Sequence, residues 1–144
     1  MTTYRALQVR DCQGTLWALF REYEGRALAS FEGDLQVLHM QDLPGSSSEQ
    51  TAALRRQTSS SEFDFMVVPI TRENVAALKA RLSAPAILGR DGSIIHVQIE
   101  VDKELIFLAC DNFHDECTAA SVSVPEHFLA RLKATGLLRG YGDA

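Results

Sequence analysis

From Ile94 to Val101 apolar and polar residues alternate over eight positions, and after Asp102-Lys103 a second β-rich run follows, Glu104 to Cys110. A period of two marks a strand with one buried face, and two such runs joined by two residues form a hairpin. A two-residue loop pairs Val101 with Glu104. Counting outward, Ile99 then opposes Ile106, Val97 opposes Leu108 and Ile95 opposes Cys110, all on one inward face. The other face carries Gln98 with Phe107 and His96 with Ala109. His96 is thereby diagonal to Phe107 and to Asp111, within reach of a long side chain. The second run is apolar on both faces, as a strand inside a sheet must be.

The flanking segments extend this sheet and cover it. Phe63 to Ile70 is a further strand, with Pro69 near its end because proline cannot donate to a ladder. Thr71 caps a helix over 72–82, which stops before Ala84-Pro85 because a residue preceding proline avoids helical angles. Arg90 to Ser93 is a turn. Ser123 and Glu126 have capping-box spacing around Pro125, so a last helix begins there. Its stripe is Phe128, Leu129 and Leu132, and Gly136 ends it with Leu137 and Leu138 folding back onto the core.

Towards the N-terminus, Tyr4 to Arg10 reads as a strand and residues 11–14 as a turn. Thr15 to Glu24 suits a helix by the spacing of Leu16, Leu19, Phe20 and Tyr23, with Thr15 as cap. It also suits a strand by its aromatic content and its bracketing by Gly14 and Gly25. The segment Ala27 to Phe31 is too short for a helix and needs a sheet neighbour. A partner just upstream is the simplest supply, which favours a three-stranded meander over residues 3–32. Residues 35–40 form a further short helix or strand. A Ser-rich, flexible segment spans 43–62, and within it Glu49 to Arg56 reads as a peripheral helix capped by Ser48. The expectation is a single α+β domain over residues 1–144, a mostly antiparallel sheet of five to six strands packed against two to four helices.

At 144 residues the chain can bury a full core without a staple. Its net charge of −5 repels phosphate backbones, so nucleic acid is not an expected partner. No apolar run reaches the ~18 residues of a membrane span, and the first residues show no signal-peptide core. Three cysteines, an odd number without framework spacing, agree with a cytoplasmic location.

One dense cluster of chemically capable residues occurs, Cys110 to Cys117, where the last hairpin strand leaves the sheet. His96, Asp111 and His114 are the candidate catalytic residues, an imidazole oriented by a carboxylate for acid–base work. Asn112, Phe113, Asp115 and Glu116 are the candidate binding residues, although Phe113 also suits a core position. Cys110, His114 and Cys117 offer metal-ligating atoms, but the register sends Cys110 and His96 to opposite faces, and no metal is expected. Cys117 lies among carboxylates, which dull a thiol. No nucleophile elbow or phosphate loop is present, and no cofactor is expected. Two classes of function follow: a binding or adaptor protein of immunity, chaperone or regulator type whose partner is another protein, or a small enzyme built on the His/Asp pair.

Overall fold

The computed structural model describes residues 3–59 and 62–143. Among them are seven strands, three α-helices and three short 3₁₀ turns, one strand more than the upper expectation. In chain order the strands and α-helices are β1 (Tyr4–Val9), α1 (Cys12–Glu22), β2 (Ala27–Gly33), β3 (Asp64–Pro69), α2 (Arg72–Leu82), β4 (Ile94–Val101), β5 (Glu104–Ala109), β6 (Thr118–Ser121), α3 (Glu126–Ala134) and β7 (Leu138–Tyr141). The strands form one sheet in the order β3-β2-β4-β5-β6-β1-β7, and every neighbouring pair is antiparallel. The class is α+β, as the patterning implies.

Residues 15–22 are helical and 23–24 form a turn, and the N-terminal meander does not form. Asp11 is the N-cap of α1, its carboxylate accepting the Gly14 N–H at 2.8 Å. The expected cap, Thr15, is buried instead and donates to the Leu137 carbonyl. Aspartate initiates turns and helices by the same bond, which is why residues 11–14 read as a turn. β2 takes its neighbours from β3 and β4, far along the chain, and so needs no strand just upstream.

The inner face of the sheet packs against all three helices in one apolar cluster. Leu16, Leu19 and Phe20 of α1, Leu78 and Leu82 of α2, and Phe128, Leu129 and Leu132 of α3 meet Phe31, Val97, Ile99 and Phe107 there. Thr71 caps α2 as expected, accepting from Asn74 N–H. α3 departs from its expected start. Pro125 is the N-cap, and the Ser123 hydroxyl donates to Glu104 instead of closing a capping box. Its end does match. Gly136 has φ +83°, its N–H donates to Lys133, and Leu137 N–H donates to Leu132, the paired bonds of a Schellman ending.

Residues 47–58 are not a helix. They lie as a strap across the outer face of β3, β2 and β4, opening on a bridge between Ser47 and Val67. An α-helix would need the N–H groups of this segment for its own carbonyls. Here those of Leu54, Arg55, Arg56, Gln57 and Thr58 donate to side chains of Thr51, Gln98, Gln50 and Glu32. Leu54 is 0% exposed and packs on Phe65 and Val67. The segment expected to be peripheral thus roofs the outer face of three of the seven strands.

Candidate functional site

The hairpin that anchors the site turns at Asp102-Lys103, both with positive φ (51° and 68°), so the two-residue loop forms without glycine. Val101 faces Glu104 as expected. One residue later the register shifts: Glu100 faces Leu105, but Ile99 faces Phe107, Gln98 faces Leu108 and Val97 faces Ala109. Ile106 is the extra residue of a β-bulge, and it is buried together with Phe107. Two adjacent bulky residues cannot both point inward in a regular strand, and the bulge resolves the conflict. The expected pairs Ile99–Ile106, Val97–Leu108 and Ile95–Cys110 therefore do not occur.

This offset changes what lies against His96. The imidazole is 5% exposed on the outer face, and its Nδ1 accepts the backbone N–H of Asp111 at 3.3 Å. The partner is the main chain of residue 111, not its carboxylate. His114 behaves alike, its Nδ1 accepting the N–H of Glu116 at 3.1 Å and so capping the short turn Asp115–Cys117. A neutral imidazole whose Nδ1 accepts carries its proton on Nε2. In each ring that acceptor nitrogen is engaged by a backbone N–H.

The segment between β5 and β6 has an uncommon backbone. Asp111, Asn112 and Phe113 all have positive φ, at 47°, 57° and 65°. Left-handed angles cost non-glycine residues, though Asn and Asp least. Several bonds hold them. Asn112 N–H donates to Ile95 O at 2.9 Å, and its side-chain amide donates to Gly92 O and Ile94 O. His114 N–H donates to Cys110 O, and the Thr118 hydroxyl to His114 O. Phe113 is 7% exposed and packs near Phe107, so it is a core residue and not a protruding anchor. Cys110 and Cys117 are joined by a disulfide that closes the segment. The bond corrects the expectation of unpaired thiols, and in this state neither sulfur is a free metal ligand.

Asp111, Asn112, His114 and Asp115 line a cleft of about 670 Å³. Its other walls are the end of β1, the turn before β4 and the last strand, which supply Arg10, Arg90 with Asp91, and Arg139. Arg139 is ion-paired with Asp115, fastening the loop to β7. Arg10 and Arg90 are exposed and have no carboxylate partner among the described residues. Cys12 also lines the cleft. Burial, and then the Asp11 carboxylate, push its thiol up to about 11, so it is a poor nucleophile at neutral pH.

The structure thus brings Asp111, Asn112, His114 and Asp115 to one cleft, with Phe113 beneath. His96 lies outside the cleft lining, and Glu116 lines a separate groove on the outer face with Cys117 and Tyr4. The arginines were not legible as a group, since they occupy a strand end, a turn and the last strand and only the topology unites them. No described helix is long and apolar enough to cross a membrane. The chain matches no protein-family model, and comparison with curated proteins and with solved structures returns no match.

Proposed function

We propose that this is a binding protein of the adaptor, immunity or chaperone kind, that it works in the cytoplasm, and that it recognises another protein through the charged cleft. The supporting observation is the loop 111–115, whose backbone is held by Asn112, by the buried Phe113 ring and by the cross-link at its ends. A surface ordered before its partner arrives loses little entropy on binding, and backbone held in costly conformations clusters at such sites. Arg10 and Arg90, without an ion pair among the described residues, offer guanidinium groups to carboxylates of a partner segment, and Asp91 and Asp111 of the same lining offer carboxylates to its cations.

The test is affinity capture from cell extract with the wild type and with Arg10→Glu/Arg90→Glu. A protein partner whose affinity drops tenfold or more on charge reversal supports the assignment. A partner held equally by both proteins, or no partner at all, removes the cleft from consideration. Acid–base catalysis is the alternative, and it keeps one supporting observation: Asp111 and His114 line the same cleft. Turnover of a panel of simple esters and phosphoesters that is lost in His114→Ala would favour it.

A further inference from the structure

We infer that the Cys110–Cys117 pair is a thiol–disulfide switch that sets the shape of the charged cleft. The disulfide spans the one stretch among the described residues with three successive left-handed residues, and that stretch forms a cleft wall. The two sides of the loop face different spaces. Asp111 to Asp115 front the charged cleft, whereas Cys117 lines an apolar groove of about 310 Å³ on the outer face, beside Tyr4, Ala6, Leu105 and Leu108. Both cysteines are half-buried, not sealed in the core. A thiol reductant can therefore reach the bond from the outer face while the result is felt in the cleft.

The chemistry balances as ordinary exchange with a dithiol. A reductant thiolate attacks one sulfur of the pair, forming a mixed disulfide and releasing the other as a thiolate. The second reductant thiol then displaces the remaining cysteine. Two electrons and two protons pass to the pair, which ends as two thiols, while the dithiol ends as a disulfide. With the tether open, the loop ends are held only by hydrogen bonds, the buried ring and the Arg139–Asp115 pair, which is half-exposed and correspondingly weak. The oxidised form keeps the cleft wall in place and the reduced form lets residues 111–115 depart from it. Such a pair suits a cytoplasm whose redox poise varies, where a persistent structural disulfide would be out of place. As control over partner binding this rests on the function proposed above. The test monitors the loop itself, so each can fail without the other.

The experiment is amide hydrogen exchange on the Cys12→Ser protein, air-oxidised and after treatment with dithiothreitol, with the cysteine state followed by intact mass. The probes are the N–H groups of His114 and Cys117, bonded within the loop, and that of Asn112, which ties the loop to Ile95 O of β4. Their exchange is expected to rise at least tenfold on reduction, while probes in β2 and β4 stay unchanged, and to return on reoxidation. Three results would overturn the inference: cysteines 110 and 117 remain thiols after oxidation, the probes exchange alike in both states, or reduction unfolds the whole domain. The last would make the bond a structural staple. Cys110→Ser/Cys117→Ser serves as the permanently open form and is expected to match the reduced protein.

Discussion

Asn112 does two jobs with one side chain. It tolerates a left-handed backbone better than most residues, and its amide satisfies the carbonyls of Gly92 and Ile94. These contributions can be separated. Asn112→Ala loses both hydrogen bonds and gains strain, and is expected to destabilise the domain by about 2–3 kcal/mol. Asn112→Gly loses the same bonds without the strain and is expected to recover about 1 kcal/mol of that, a difference measurable by urea unfolding. Equal losses would mean that the backbone angle carries no cost. Cys12 offers a second test at this scale. Its raised thiol pKa means that thiolate appears only as pH climbs towards about 11. Iodoacetamide labelling of the native protein is expected to quicken about tenfold per pH unit between 7 and 9.5, without levelling. A plateau below pH 9 would contradict the burial and Asp11 effects.

Among elements, the strap is the instructive case. Its sequence has helical propensity and a capping serine, yet the side chains of the sheet decide its conformation. Glu32, 1% exposed, accepts from Gln57 N–H, Thr58 N–H and the Thr58 hydroxyl. Glu32→Gln keeps the shape but turns one acceptor into a donor facing other donors. We expect a loss of about 1.5–3 kcal/mol, with faster amide exchange at residues 57 and 58. Leu54→Ala removes the strap's buried aliphatic anchor and is expected to cost about 2–4 kcal/mol by urea unfolding. If both variants keep wild-type stability, the strap is not fastened as described. α2, β3, β4 and the glycine ending of α3 were readable because their signals are local: periodicity, a threonine cap, a proline, a left-handed glycine. For residues 15–24 local signals support helix and strand alike, and the choice turns on the neighbours of β2, which come from distant strands. The site was half legible. The 110–117 loop stood out by composition, but the bulge at Ile106 that detaches His96 from the Asp111 carboxylate depends on packing two bulky residues inward. No pattern of period two encodes that.

At the scale of the whole molecule, the sheet order sets the N-terminal strand between the two latest ones. β1 pairs with β6 and β7, and nothing from the first two-thirds of the chain lies beside it in the ladder. At ~5–20 residues per second, the stretch from Val9 to Leu138 emerges on the order of ten seconds after β1 itself. During that interval Leu7 and Val9, both buried in the finished domain, have no ladder partner. The first strand therefore waits without its ladder until the last third of the chain has been made, and the sheet can close on that edge only at the end of synthesis.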